Sequence, residues 1–190
     1  MRTSIFLLCA LTLAGCPKQK DAKAIAAETQ SVGFQRQIAE KTTADGLVLE
    51  EIDINQDGVP DIFNFYRVRA DAPRLLVRKE LDVNRDGRVD TISYFDDTGA
   101  LEREEMDRDF DGQFDWIDHY RNGARVMSEF DTTHDGQMNV FNYYANGQIT
   151  QKERDTNGDG VIDYWERYDN GRVVKVGRDT NGDGKMDERE

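Results

Sequence analysis

Only two cysteines occur in the 190 residues, Cys9 and Cys16, and two cysteines cannot build a disulfide framework. The two histidines, His119 and His134, have no cysteine or second histidine near them, so the sequence gives no support to a zinc site. No stretch after the first sixteen residues is apolar enough to cross a bilayer. These shortages exclude a disulfide scaffold, a zinc domain and a chain with several membrane spans.

Positive charge and apolar residues are also scarce. The chain has 25 Lys and Arg against 38 Asp and Glu, a formal net charge of −13, and 37% hydrophobic residues. Nucleic acid is excluded as an expected partner, because phosphate binding needs clustered Lys and Arg. A large dry core is not expected, and the length suits one domain or one repeat array. The acidity favours cations as partners.

The N-terminus is predicted to be a secretory signal peptide over residues 1–15. Arg2 precedes an apolar run at residues 5–13, which is too short to span a membrane, and the run ends at Leu13-Ala14-Gly15-Cys16. This end resembles the lipobox of bacterial lipoproteins. The resemblance implies cleavage before Cys16 and lipidation of that residue on its sulfur and amino group. A plain signal peptide with a chance cysteine is the alternative.

The lipobox resemblance predicts the place and the first partner of the mature chain. Several acyl chains on Cys16 would anchor it stably to a membrane of the cell envelope. Residue 17 is Pro instead of the Asp that resembles an inner-membrane retention signal, so the outer membrane is expected. Residues 16–44 are predicted to be a lipidated tether, flexible or partly helical from the spacing of Ile25, Val32 and Ile38.

From residue 45 onward, one acidic loop is repeated six times. The six copies start at residues 53, 82, 107, 131, 155 and 179, at intervals of 29, 25, 24, 24 and 24 residues. Every copy has Asp at position 1, Asp at position 5 and Gly at position 6, and position 8 is always apolar. Position 3 is Asn or Asp, and position 9 is Asp, in five of the six copies.

These positions carry the hard oxygen ligands that Ca²⁺ prefers, and the glycine permits the tight turn that brings them together. The predicted metal ligands in the loops are Asp53, Asn55, Asp57 and Asp61; Asp82, Asn84, Asp86 and Asp90; Asp107, Asp109, Asp111 and Asp115; Asp131 and Asp135; Asp155, Asn157, Asp159 and Asp163; and Asp179, Asn181, Asp183 and Asp187. The fourth loop, with Thr133 and Asn139, is expected to be the weakest. A solvated acidic turn without metal is the alternative.

Position 12 bears on whether the loops are EF-hands, which use a bidentate Glu there. Glu166 and Glu190 match that pattern and Asp118 nearly does, so these three are added to the predicted ligands. The flanking segments differ from EF-hand helices, because Thr-Gly or Asn-Gly pairs near residues 99, 123, 147 and 171 predict hairpin turns. Only residues 100–106 suit a helix equally well.

Each repeat is therefore predicted to be loop, strand, tight turn and strand. Positions 11 and 14 are always large and apolar or aromatic, and they are expected on opposite faces of the first strand. They are Phe63, Ile92, Ile117, Phe141 and Trp165, and Tyr66, Phe95, Tyr120, Tyr144 and Tyr168. The predicted fold is an all-β repeat over residues 45–190, an open β-meander or solenoid of hairpins joined by calcium loops.

The loop spacing DxDxDGxxD resembles the calcium loops of thrombospondin type 3 repeats and of integrin-type FG-GAP repeats. The segment Tyr143-Tyr144-Ala145-Asn146-Gly147 resembles hairpin repeats of the MORN kind. Dockerins also repeat such a loop, but theirs leads into a helix. A closed propeller is not expected, since six two-strand units would make only three blades of four strands.

The sequence contains no nucleophile motif and no phosphate-binding glycine loop, so no enzyme is expected. The expected function is a membrane-anchored calcium-binding surface lipoprotein with a structural or adhesive role, and the partner would be a surface protein or a glycan. One alternative is a ligand-binding module with tyrosines and Trp165 as a platform for glycan. An EF-hand-type calcium sensor is the other.

Overall fold

The computed structural model describes residues 37–189, which form one antiparallel sheet of thirteen strands in chain order. Each strand pairs with the strands before and after it in the chain, and no helix occurs among the described residues. The predicted all-β, open meander is confirmed. The strands are β1 Gln37–Thr42, β2 Val48–Asp53, β3 Ile62–Arg67, β4 Leu75–Leu81, β5 Thr91–Phe95, β6 Leu101–Met106, β7 Trp116–Arg121, β8 Ala124–Phe130, β9 Val140–Ala145, β10 Gln148–Arg154, β11 Tyr164–Asp169, β12 Arg172–Arg178 and β13 Glu188–Arg189.

The connections alternate between two edges of the sheet. Turns at one edge join β1 to β2 and each later first strand to its second, and the acidic loops at the other edge join one hairpin to the next. Three of the turns are Asn-Gly pairs with positive φ at both residues, as at Asn122 (53°) and Gly123 (74°). Positive φ at both positions is the type I′ geometry that matches strand twist, which confirms the predicted hairpins.

A one-residue β-bulge occurs in the second strand of each of the last five hairpins. In the hairpin of β7 and β8, His119 pairs with Met127 but Tyr120 pairs with Arg125, which leaves Val126 as the extra residue. The extra residues are Val77, Glu102, Val126, Thr150 and Val174. Bulges increase local right-handed twist, so these five hairpins share one source of added twist that the first hairpin lacks.

The described sheet is a single layer with side chains on both faces. Trp116, Asp118 and Tyr120 alternate with Ile117 and His119 along β7, so positions 11 and 14 lie on opposite faces as predicted. Only four apolar side chains among residues 38–187 are buried: Leu49, Ile52, Phe65 and Leu75. Cationic side chains cover many of the rings, and the Arg78 guanidinium lies 3.8 Å from the centre of the Phe65 ring.

Two local expectations differ from the structure. The sheet begins at Gln37, inside the segment predicted to be tether, and Ile38 lies in strand β1 instead of a helix. The turn between β1 and β2 contains Asp45-Gly46, a hairpin signal that would have located this strand pair. The segment that suited helix or strand equally well is strand β6.

The signal peptide, Cys16 and most of the predicted tether lie outside the described residues, as does Glu190. Within residues 37–189, no helix has the length and apolar character needed to cross a membrane.

Candidate metal-binding loops

The six acidic loops lie side by side along one edge of the sheet. We number them loop 1 to loop 6, at residues 53–61, 82–90, 107–115, 131–139, 155–163 and 179–187. The backbone N–H at position 1 of each later loop donates to the backbone carbonyl at position 9 of the loop before it, at 2.8 to 2.9 Å. The bonded pairs are Asp82 and Asp61, Asp107 and Asp90, Asp131 and Asp115, Asp155 and Asn139, and Asp179 and Asp163.

The carboxylate at position 1 organises its own loop. In loop 3, Oδ1 of Asp107 accepts from the N–H of Phe110 at 2.7 Å, and Oδ2 accepts from the N–H of Gly112 at 2.8 Å. The same two bonds, to positions 4 and 6, occur in all six loops. Positions 4 and 6 both have positive φ, 63° at Phe110 and 95° at Gly112, which bends the chain around the carboxylate.

The other predicted ligand positions also accept loop N–H groups. The side chain at position 9 accepts from position 2 in every loop, as Asp61 does from Ile54 at 2.7 Å. Position 5 accepts from position 7 in every loop, as Asp57 does from Val59 at 2.8 Å. Position 3 accepts from position 5 in all loops except loop 4. Four side chains in each of five loops, and three in loop 4, therefore accept hydrogen bonds from the backbone of their own loop.

In loop 3, three acidic side chains lie close enough together to form a candidate cation site. Ligand oxygens of Asp107, Asp109 and Asp115 all lie within 4.8 Å of one another, and Asp107 is buried. Three hard oxygens in such proximity fit the ligand preference of Ca²⁺. The structure therefore gathers three of the four loop residues predicted for this site, and Asp111 lies in the same loop and accepts from the N–H of Gln113.

His134 contacts this group from the neighbouring loop. Its Nδ1 lies 2.7 Å from Oδ2 of Asp109, so position 4 of loop 4 reaches position 3 of loop 3. The sequence gives no support to a zinc site at this histidine, and no pattern within one repeat identifies a contact between two loops. Loops 3 and 4 are therefore joined by a side-chain contact as well as by the backbone.

The position-1 carboxylates of the last three loops have lowered pKa values. Burial raises the pKa of Asp131, but the N–H groups of Gly136, Thr133 and His134 lower it further than burial raises it. The same balance of burial and backbone N–H groups lowers the pKa of Asp155 and of Asp179. These carboxylates are charged at neutral pH, which is the form that binds a cation.

Loop 4 is closed by uncharged side chains at the two positions where it departs from the repeat. Asn139 accepts from the N–H of Thr132 through Oδ1 and donates through Nδ2 to Oγ1 of Thr133 at 3.1 Å. Asp131 and Asp135 are its remaining acidic residues at the repeat positions. This arrangement agrees with the expectation that loop 4 binds a cation most weakly, which stays a prediction.

The position-12 acids lie in the strands and have other partners. Asp118, in β7, accepts from Nε1 of Trp116 at 2.8 Å and from Oγ of Ser128 at 2.5 Å. Glu166, in β11, accepts from the hydroxyl groups of Tyr164 and Tyr168. The group of close oxygens in loop 3 does not include Asp118. The structure thus gives both acids a role in the sheet and does not bring Asp118 to the loop carboxylates.

The tyrosines considered as a glycan platform are engaged within the sheet. Tyr66, Tyr120, Tyr144 and Tyr168 are half-buried and share one face, whereas Trp165 lies on the opposite face. Guanidinium groups lie over two of these rings, Arg74 at 4.0 Å from the centre of Tyr66 and Arg125 at 4.6 Å from the centre of Tyr144. The five aromatic residues therefore do not form one platform.

Comparisons with known proteins add little to this description. No family model and no curated protein matches the chain. The chain is similar to one in a crystal structure of accessory secretory protein 1, 2 and 3 from Streptococcus pneumoniae, with 13% identity and a TM-score of 0.29. The similarity covers 69% of this chain and 19% of that chain, so the chain spans about a fifth of that protein's length.

Proposed function

We propose that this chain is a calcium-binding lipoprotein of the cell envelope, in which Ca²⁺ bound by the acidic loops stabilises the sheet for a structural or adhesive role. One observation carries the proposal: ligand oxygens of Asp107, Asp109 and Asp115 lie within 4.8 Å of one another in a loop whose pattern recurs six times. Carboxylate oxygens in this number and proximity are ligands for a hard divalent cation.

The residues that would hold the ion are those at positions 1, 3, 5 and 9 of each loop. A bound Ca²⁺ would supply positive charge among acids that repel one another, and six ions would bring the mature chain from a charge of −14 to about −2. Calcium is favoured over magnesium, because magnesium requires stricter octahedral geometry and retains its water molecules.

The thin core supports a stabilising role for the ions. With four buried apolar side chains among residues 38–187, a single layer of strands has little hydrophobic stabilisation for its length. A ligand that binds the folded state and not the unfolded state adds stability according to its concentration and affinity. Extracellular calcium modules have dissociation constants of about 10⁻⁴ to 10⁻³ M, so loops of this affinity would favour the folded sheet when external calcium is at or above that concentration.

A metal-free acidic turn is the competing account, since the loop carboxylates already accept backbone N–H groups. Far-UV circular dichroism and thermal melting of the mature chain, first in EDTA and then in millimolar Ca²⁺ or Mg²⁺, separate the two accounts. We expect a gain of β signal and of melting temperature that is specific to calcium. An identical spectrum and melt in all three buffers would overturn the calcium proposal.

The lipid anchor is proposed from the lipobox and is tested separately. Mass spectrometry of the N-terminal peptide of the mature chain should find acyl groups on Cys16, and Cys16→Ser should release the chain from the membrane fraction. An unmodified cysteine or an uncleaved leader would refute the anchor and leave the calcium sites untouched. The adhesive partner is proposed to be a surface protein or a glycan.

A further inference from the structure

The last hairpin, of β11 and β12, lacks a feature of two earlier hairpins. In those two, an arginine of the second strand is neutralised by a glutamate of the same strand. In β4, Arg78 lies over the Phe65 ring, and its Nε is 2.9 Å from Oε1 of Glu80. In β6, Arg103 is placed in the same way, over Tyr94 and 2.5 Å from Glu105. Each arginine thus has an aromatic ring across the strand pair and a carboxylate two residues along its own strand.

Lys175 occupies the corresponding place in β12 but has neither partner. The residue opposite it is Arg167, where the earlier hairpins have a ring, and Gly177 stands where they have glutamate. Among the side chains of residues 38–187, those of Lys175 and Arg167 form no ion pair and no hydrogen bond. Two like charges placed directly opposite across strands are unfavourable, and an anion between them would remove that cost.

A cavity of about 230 Å³ lies beside these two cations. Its lining includes Trp165, Met186, Gly177 and Glu153 together with Arg167 and Lys175. Gly177 has no room for a side chain, because a Cβ there would lie 2.3 Å from Sδ of Met186. The cavity therefore combines an indole, a thioether and two unpaired cations, and it is smaller than the roughly 300–1,000 Å³ of sites for drug-sized ligands.

We propose that this cavity binds a carboxylated sugar unit of an anionic glycan. The carboxylate would lie between Arg167 and Lys175, where the repeat otherwise supplies its own glutamate, and the sugar ring would pack on Trp165. Glu153, which already accepts from Tyr143 and Gln151, offers acceptor oxygens for ligand hydroxyl groups. An acidic peptide would supply the carboxylate without the ring and the hydroxyl groups.

The site does not depend on the metal proposal, because all of its groups except Met186 belong to strands β10 to β12. It also differs from the tyrosine face, since Trp165 lies on the opposite side of the sheet. An anionic ligand is compatible with an acidic protein here, because the strands of this last hairpin carry Arg167, Arg172, Lys175 and Arg178 against Glu166 and Asp169.

The test is a titration of the full mature chain in detergent and millimolar calcium with a disaccharide that carries one glucuronate. Its neutral glucose counterpart is titrated in parallel, and both are followed by calorimetry and tryptophan fluorescence. We expect saturable binding of the acidic sugar, with the neutral sugar at least about tenfold weaker because it lacks the charge-assisted hydrogen bonds. Equal binding of both sugars, or no saturable binding, would overturn the proposal.

Variants test the assignment of residues. Lys175→Gln and Arg167→Gln should each weaken acidic-sugar binding about tenfold. Arg103→Gln is the matched control, since that arginine is already paired, and its binding should equal wild type. A control that loses as much affinity as Lys175→Gln would refute the site.

Two further measurements distinguish a loss of ligand binding from a loss of folding. Each variant is compared with wild type by circular dichroism and melting temperature, and Lys175→Gln is expected to be at least as stable as wild type, because it removes a charge opposite Arg167 and no hydrogen bond or ion pair. Trp165→Phe should remove the fluorescence change while calorimetry still detects binding. Competition by an acidic peptide as strong as that of the acidic sugar would refute recognition of the sugar ring.

Discussion

The backbone N–H of Asp131 donates a hydrogen bond of 2.9 Å to the backbone carbonyl of Asp115. Asp115 is the last residue of loop 3 and Asp131 is the first residue of loop 4, so one loop holds the residue that organises the next. The contact of His134 with Asp109 joins the same two loops. Because this backbone bond recurs between all neighbouring loops, an ion that orders one loop would favour order in the next.

Cooperative calcium binding is the first expected consequence. The calcium titration of the mature chain, followed by circular dichroism and calorimetry, should be steeper than binding to independent sites, with a Hill coefficient above one. Asp115→Asn should weaken binding at loop 4 as well as at loop 3. Independent sites, with the loss confined to loop 3, would contradict coupling between the loops.

The second prediction compares two Asp→Asn changes in one loop. Asp107→Asn replaces one of two acceptor oxygens by NH₂, so one of the N–H groups of Phe110 and Gly112 loses its partner. Asp111→Asn can retain the oxygen that accepts from the backbone N–H of Gln113, and the change affects only the 3.4 Å bond from Nε2 of the same residue. We expect Asp107→Asn to lower the free energy of unfolding by about 1–3 kcal/mol more than Asp111→Asn, measured by urea denaturation.

Both variants in this comparison remove one charge and one predicted ligand oxygen. Relief of charge repulsion acts in the opposite direction, because Asp107 belongs to the close acidic group of loop 3 and Asp111 does not. Measured in EDTA, a larger loss for Asp107→Asn therefore reports the backbone hydrogen bond. Equal stabilities for the two variants would mean that the position-1 carboxylate does not organise the loop.

The third prediction concerns Asp118, which the sequence suggests as a metal ligand. Because this buried carboxylate accepts from Trp116 and Ser128 and lies 3.2 Å from Arg125, Asp118→Asn should destabilise the sheet by about 1–3 kcal/mol. The number of calcium ions per chain, measured by calorimetry, should not change. The loss of one ion at unchanged stability would restore Asp118 as a ligand.

The fourth prediction is a loss of stability in alkali. Burial, together with the hydrogen bond to Glu166, raises the pKa of the Tyr168 hydroxyl to about 12. A folded pKa above the unfolded value near 10 stabilises the fold below pH 10, and that stability is lost as pH rises through about 12. Absorbance of the phenolate should show Tyr168 titrating late, and Glu166→Gln should lower its pKa. A wild-type Tyr168 that titrates near pH 10 would contradict this.

The fifth prediction is a loss of stability in acid. The lowered pKa values of Asp131 and Asp155 mean that their unfolded forms bind protons first as pH falls. Their contribution is present above the ordinary pKa of about 3.9 and is lost as pH falls through the lowered folded values. Melting temperature should therefore fall steeply below pH 4, and Asp155→Asn should reduce that slope. A flat profile down to pH 2.5 would refute it.

Much of the fold follows from short sequence signals. Asn122-Gly123 and its counterparts predict the hairpins, because both residues tolerate positive φ. Strand β1 is not predicted, because the spacing of Ile25, Val32 and Ile38 favours a short helix within a flexible tether. The bulges are not predicted either, since residues as different as Glu102 and Val174 occupy them.

The sequence predicts which residues form the candidate site, but it does not predict the contacts that these residues make. The pattern locates Asp107, Asp109 and Asp115, which the structure brings together. It does not indicate that the same carboxylates bond to the loop backbone, because one sequence motif serves both an acidic turn and a cation site. The pairing of His134 with Asp109 joins residues 25 positions apart, and no local pattern encodes it.

Because the strands follow one another in strict chain order, the length of the sheet depends directly on the number of repeats. Since strands pair only with their neighbours in the chain, a whole repeat could be inserted or deleted between two loops without changing any junction type. Each repeat would change the distance between the two ends of the sheet by about 10 Å, the width of two strands. The length of the sheet could thus change from one relative to another without any change in how each repeat folds.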